Sequence, residues 1–386
     1  MISECRGGRF ITKEGGKMKK KEKVTIGAML IAVLLASTAL LFAANTSGDM
    51  SEQVSINKES YAAHRSISQQ PISHALTEKI VNKTYTPTNE IFLIRNFTEP
   101  ISVEEIKEKR EKIINSFIDV MGRPEHAIAI ATPEVPEGVR IVAYGFRIYP
   151  NGVTAQYVGM AGDEESVQII HEHAQKWYDK YELRTSTGIL GGPHWVEIGR
   201  NEGEIYHNPH GGVDNNYVLF QLADDTSSTR DWFAIHHIFC MYPGCHVYGS
   251  NWRNDYGRLK HDWSASDFGN PQLHDHDPMG THTGTQTISV SLGPSPALQW
   301  SYTQPGVTTL DESDSSIELA RWKETFNSEA AQTHPGGMEP GSSCGVNQPS
   351  GGTYKLLDLV AEGHFKLYPI PAPATLTHTW HISVMY

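Results

Sequence analysis

The chain holds 386 residues, with 32 Lys and Arg against 44 Asp and Glu, for a formal net charge of −12. Residues 1–44 carry eight basic and three acidic side chains, a net of +5, which leaves −17 on the rest. Phosphate contacts need clustered Lys and Arg, and the basic run at 107–112 is interleaved with glutamates, so nucleic-acid binding is not expected and anionic lipid is repelled.

Lys19-Lys20-Lys21-Glu22-Lys23 precedes an uncharged apolar run at 24–44, which is 21 residues long. As a helix it would reach roughly 30 Å, about one bilayer core. The lysines favour the cytoplasmic side, so the remainder is expected outside the membrane. Two readings are open. One is an uncleaved signal-anchor, which leaves the C-terminal domain on the outer face of the cell membrane. The other is a cleaved signal peptide and a secreted protein, but such apolar regions are usually about 7–15 residues long and end in a small-x-small site. A cut after Ala44 would set Phe42 at the −3 position, a poor fit. Residues 13–17 read as a purine-rich ribosome-binding site translated in frame, so initiation at Met18 is expected and 1–17 would be an upstream extension.

Residues 45–90 are polar without a sustained apolar period and suggest a stalk or spacer. Sequons at Asn45, Asn82 and Asn96 are candidate glycosylation sites in the first part of the exported chain. A region at 91–182 reads as α+β. Ser102 and Glu105 form a capping box ahead of a helix with Ile106, Ile113, Phe117 and Val120 on one face and Gly122 at its end. A hairpin follows, with Val142, Tyr144, Phe146 and Ile148 alternating before the turn at Pro150-Asn151-Gly152. A second helix begins near Asp163, with Val167, Ile170, Ala174, Trp177 and Tyr181 at helical spacing and His171 and His173 expected in solvent.

From 183 to 386 the sequence breaks into short runs rich in β-formers, at 194–198, 217–222, 231–239, 286–292, 297–303, 354–367 and 375–385. Turn signals between them argue for an antiparallel sandwich or barrel, which can form one unit with 91–182. The fold class expected is therefore α+β and β-rich. Ser315 and Glu318 suggest a further helix with Leu319, Trp322 and Phe326 inward, and 333–352 reads as a long loop. No phosphate loop, dinucleotide fingerprint or internal repeat is present.

Chemistry-bearing residues concentrate at 261–282. In an extended segment His274 and His276 would share a face, with His282, Asp277 or a distant His as a third ligand, a pattern that suits Zn. A His-x-His-x-Asp-His motif fails here, because Pro278 and Met279 follow Asp277. Asp311-Glu312-Ser313-Asp314 could hold Ca, although acids ahead of a helix favour its N-terminus without any ion. Ser343 sits in a Gly-x-Ser-x-Gly sequence that lacks the strand and helix a nucleophile elbow needs. Cys240 and Cys245 flank a Met-Tyr-Pro-Gly turn and suggest a small disulfide loop, with Cys344 left over. Adjacent His236 and His237 should face opposite ways from a strand, one into the core and one to the surface. Trp252 and Trp263 lie in polar sequence and are candidate ligand contacts.

Finally, 285–292 alternates Ser and Thr with Gln286, Ile288, Val290 and Leu292, as both a membrane-spanning strand and a half-buried sandwich strand do. The reading that best fits these features is an exported, membrane-anchored cell-envelope protein that acts by binding an envelope or environmental ligand. An exported metal-dependent hydrolase and a pore-forming protein are the alternatives.

Overall fold

The computed structural model describes residues 53–56, 81–180, 183–187, 194–223, 227, 229–293, 298–370 and 372–386. The apolar run at 24–44 and Asn45 lie outside them. In chain order the strands are β1 (Gln53–Ile56), β2 (Val81–Tyr85), β3 (Asn89–Ile94), β4 (Ile128–Glu134), β5 (Arg140–Ile148), β6 (Thr154–Ala161) and β7 (Leu183–Thr187). Then come β8 (His194–His207), β9 (Gly211–Ala223), β10 (Arg230–Pro243), β11 (Trp252–Asp262), β12 (Gln272–Asp277), β13 (Thr281–Thr283) and β14 (Gln286–Leu292). The last six are β15 (Leu298–Gln304), β16 (Val307–Asp311), β17 (Leu319–Phe326), β18 (Gly341–Asn347), β19 (Thr353–Leu367) and β20 (Pro373–Met385). The helices are α1 (Val103–Met121), α2 (Glu164–Asp179) and the short α3 (Gly244–Val247) and α4 (Glu329–Thr333). Among the described residues no helix is long and apolar enough to cross a membrane.

A nine-stranded sheet runs β1-β3-β5-β6-β8-β9-β10-β18-β12, and a seven-stranded sheet runs β13-β16-β17-β11-β19-β20-β4. Pairing is antiparallel apart from β6 and β8, whose parallel ladder is made possible by the long connection through α2 and β7. One core joins the sheets, with Phe239 and Met241 from the first and Leu259, Trp322 and Trp380 from the second fully buried. The sheets come closest where glycines stand opposite large side chains. A Cβ on Gly257 would lie 2.4 Å from Phe239 Cε1, and one on Gly363 would lie 2.4 Å from Val213 Cγ2.

The helices cover what the sheets leave bare. Ser102 accepts from Glu105 N at 3.0 Å at the start of α1, and Ile106, Ile113, Ile114 and Phe117 are buried beneath that helix. Asp163 accepts from Ser166 N at 2.9 Å at the start of α2, which seats Trp177 over Gly145. Arg147 is buried there, 3.0 Å from Glu90 and 4.4 Å from the Trp177 ring centroid.

Two sequence expectations are corrected by the fold. Ser315–Ile317 is a single 3-10 turn that ends at Glu318 with φ 55, and Leu319–Phe326 is a strand. The spacing of Leu319, Trp322 and Phe326 fits a helix, but Ala320, Trp322, Glu324 and Phe326 also alternate, and ladders to β11 and β16 decide between the two. Within 333–352, the part read as loop contains β18, whose small residues make room for tryptophans. Trp300 lies over Gly341 and Trp232 over Gly345.

Gly257→Val is expected to overpack this contact and destabilise the protein by about 1–3 kcal/mol. Denaturant titration would read it as a lower midpoint with an unchanged slope.

Candidate functional site

The 30 residues 281–310 contain no Asp, Glu, Lys or Arg. β14 and β15 form a ladder of their own, separate from both large sheets. On one face Ile288 pairs with Tyr302, Val290 with Trp300 and Leu292 with Leu298. On the other Thr287 pairs with Thr303, Ser289 with Ser301 and Ser291 with Gln299, all exposed. Period-two alternation on both arms thus makes a ribbon with one apolar and one uncharged polar side.

The same ribbon continues into the seven-stranded sheet. His282 pairs with Thr309 in the β13–β16 ladder, and the register slips by one residue before Gln286 pairs with Gln304. Gly284, with φ 83, lies at that slip on one arm, and Pro305 and Gly306 lie on the other.

The apolar side is held down by a few specific contacts. Trp300 Nε1 donates to Glu339 O at 2.8 Å, and its ring is 4.3 Å from that of His236. Ser291 N donates to Asp277 Oδ2 at 2.9 Å, and Gly293 N to Asp275 Oδ2 at 3.1 Å. This cover explains why His236 and His237 are both buried, where one was expected at the surface. His237 meets His261 on the inner face at 2.9 Å, and His236 meets Glu339 on the outer face at 3.0 Å.

Glu324 is fully buried on β17, and neither carboxyl oxygen has a hydrogen-bond partner among the described residues. Burial pushes its pKa up to about 8, with no neighbouring cation to offset it. Its partners across the sheet are Thr309 and Gly257. Thr309 donates to Gln304 Oε1 at 3.0 Å, and the buried Tyr302 phenol is raised first by burial and next by Glu324. Two side chains of β15 therefore meet the neighbourhood of this carboxyl.

A second titratable cluster joins α2 to the nine-stranded sheet. Glu204 accepts from Tyr157 and lies 2.6 Å from His173 Nδ1, and its register partner is Asp214. Burial and then Glu204 raise Asp214 to about 8. For His173 burial alone would lower the pKa, and the Glu204 carboxylate overrides it to give a net rise. His171 approaches Arg95 O at 3.0 Å, so neither α2 histidine is simply solvated.

The proposed metal ligands point to different partners. His274 meets the Trp232 ring edge-on at 5.2 Å, His276 reaches Asp311 at 3.3 Å, and His282 reaches Met279 O at 3.1 Å. A bulge between Leu273 and Asp275 breaks the alternation that would have aligned the two histidines. No group of three or more His, Cys, Asp or Glu that could hold a metal ion occurs among the described residues. Asp311 accepts from Ser313 N and Asp314 from Ser316 N, each at 3.0 Å, which shapes the turn before β17.

Trp263 is corrected from surface contact to core, being wholly buried with its indole donating to Ser342 Oγ at 2.9 Å. Trp252 is half-buried, 4.5 Å from the His210 ring. Cys240 and Cys245 are not bonded to each other, since the first is buried in β10 and the second lies in α3 with its sulfur 3.8 Å from Thr333 O. Cys344 is buried with its thiol pushed up to about 12. Ser343 lies inside β18 rather than on an elbow. Asn96 is exposed between β3 and α1, and Asn82 belongs to β2.

No family model and no curated protein matches the sequence. Among solved structures the chain is similar to one titled as a pore forming protein, at 8% identity and a TM-score of 0.28 over 51% of this chain and 92% of that one. It is also similar to the NetB toxin of Clostridium perfringens in the membrane inserted form, at 6% identity and a TM-score of 0.27 over 50% and 97% of the two chains. Scores this low do not define a common fold.

Asp277→Ala removes the charged acceptor for Ser291 N, a bond worth about 1.5–3 kcal/mol. Amide exchange across β14 and β15 is expected to accelerate about tenfold or more, with β19 and β20 unchanged, as read by hydrogen–deuterium exchange.

Proposed function

We propose that this chain is an exported, membrane-inserting β protein that forms a pore with copies of itself, using β14 and β15 as the inserting hairpin. The observation that carries the reading is the strict two-sided alternation of the hairpin within an uncharged stretch of 30 residues. β14 and β15 have seven residues each, and insertion would extend the arms into β13 and β16 as these leave the seven-stranded sheet, to twelve residues from 281 to 292 and thirteen from 298 to 310; a membrane-spanning strand needs about 9–11. Ile288, Val290, Leu292, Leu298, Trp300 and Tyr302 would face lipid, while the Ser, Thr and Gln side would line water.

A lone hairpin cannot cross a bilayer, because its two outer edges leave backbone N–H and C=O groups without partners in hydrocarbon. Closure by several copies satisfies them, so the reading requires an oligomer. The acidic surface favours zwitterionic over anionic membranes as the target. The run at 24–44 would direct export, with or without cleavage. Binding at a cell envelope, the first expectation from the sequence, shares that location but leaves the hairpin dispensable.

Phosphatidylcholine vesicles loaded with a self-quenched dye are expected to leak on addition of the protein. Replacing 286–304 by a short Gly-Ser turn should preserve the circular dichroism of the sandwich and abolish leakage. Ser289→Lys, on the water side, should retain leakage and make the conductance anion-selective. Undiminished leakage from the deleted variant would overturn the assignment of the hairpin.

A further inference from the structure

We propose that Glu324 is a proton-dependent latch for the β14–β15 hairpin, which stays docked while this carboxyl is neutral and is released as it ionises. The inference rests on the hairpin being the inserting element, and it adds the condition that sets it free.

The geometry leaves Glu324 no other means of being satisfied. Among the described residues both oxygens are buried without partners, and the register partners of Glu324 in the sheet are Thr309 on one side and Gly257 on the other. The Thr309 hydroxyl is committed to Gln304 of β15. The ionisable groups in reach are the Tyr302 phenol, which bonds to the Glu339 backbone, and beyond it the Glu339 and Asp277 carboxylates, which act on that same phenol. Each can add only negative charge. Among the described residues no Lys, Arg or His offsets a carboxylate at this point. An ionised Glu324 would therefore be an uncompensated buried charge, which the protein relieves by admitting water.

Water can enter where the cover is least bound to the sheet. β15 carries Tyr302 and Gln304 to the Glu324 neighbourhood, whereas β11 and β16 are fixed by full ladders on both sides of β17. The β14–β15 ladder joins neither large sheet, and its register slip at Gly284 and at Pro305-Gly306 supplies a hinge. Lifting the ribbon hydrates Glu324, and its proton passes to solvent.

The sign follows from linkage. The docked form keeps the proton up to a pKa of about 8, whereas a solvated glutamate loses it near an ordinary value of about 4.3. Docking thus binds a proton throughout that window, so it weakens about tenfold for each pH unit of increase, and the loss levels off above the docked pKa.

The test is chymotrypsin cleavage after Trp300 and Tyr302 in vesicle-free buffer, with the rate at each pH normalised to that of a peptide substrate. For the full chain the rate at these bonds is expected to climb about tenfold per unit from pH 6 to 8 and then flatten. Glu324→Gln, which keeps the neutral shape, should give a flat profile, with Glu324→Met as a second neutral variant. Wild-type cleavage independent of pH would overturn the latch, as would neutral variants that follow the wild-type curve. Dye release is measured in parallel. No leakage at any pH alongside the expected cleavage profile would remove the pore and leave the latch standing.

Discussion

A two-stranded ribbon with one apolar face cannot stand alone in water, and the placement of β14 and β15 answers that constraint. The ribbon belongs to neither large sheet and has no third strand of its own. Its apolar side chains are buried only because the body offers a matching surface. Ile288, Val290, Leu292 and Tyr302 join the main apolar core there, and polar contacts are added to it: a histidine ring under Trp300, two aspartates that accept from backbone N–H groups, and a carbonyl for the indole. Oil-to-oil contact would make docking insensitive to conditions. Contacts of this kind tie it to local charge.

The remainder of the fold reads as the rigid frame that such a ribbon needs. Two sheets joined through one core, with Trp263, Trp322 and Trp380 wholly buried, fix β16, β17 and β11 in place. Several polar groups inside this frame are tied to one another. His261 lies 2.9 Å from His237 and 2.7 Å from Ser342 Oγ, and its pKa falls to about 3 through burial first and His276 next, so it stays neutral. Glu324 differs from His261 in having no hydrogen-bond partner for either oxygen among the described residues. It sits within one strand of the ribbon's base, where β17 pairs with β16.

Much of the strand content is legible in the sequence because alternation is a local signal. Val142, Tyr144, Phe146 and Ile148, like Ile288, Val290 and Leu292, announce their strands without help from distant residues. What is not legible depends on partners far along the chain. Glu318 to Phe326 fits both a helical and a strand period, and only β11 and β16 select the strand. The small residues of β18 look like a loop until Trp300 and Trp232 are seen to fill the space above them. The histidine pair at 274 and 276 looks like a metal site because the bulge after Leu273 leaves no trace in composition. Burial of both His236 and His237 is invisible for the same reason, since one of their covers comes from 64 residues downstream, at Trp300.

The two faces of the hairpin differ in what they need, and this separates its roles. The Ser, Thr and Gln side is in water in the docked form and would be in water inside a pore, so release changes little for it. The apolar side exchanges one dry environment for another, and transfer between them is nearly neutral in hydrophobic free energy. The balance between docked and inserted forms is then set by the polar interactions that break when the ribbon leaves the body. Those interactions are few: Ser291 N on Asp277, Gly293 N on Asp275, the Trp300 indole on Glu339 O and the Thr309 hydroxyl on Gln304, with the uncompensated Glu324 beside the last. A hairpin neutral along its whole length is thus governed by charges it does not carry.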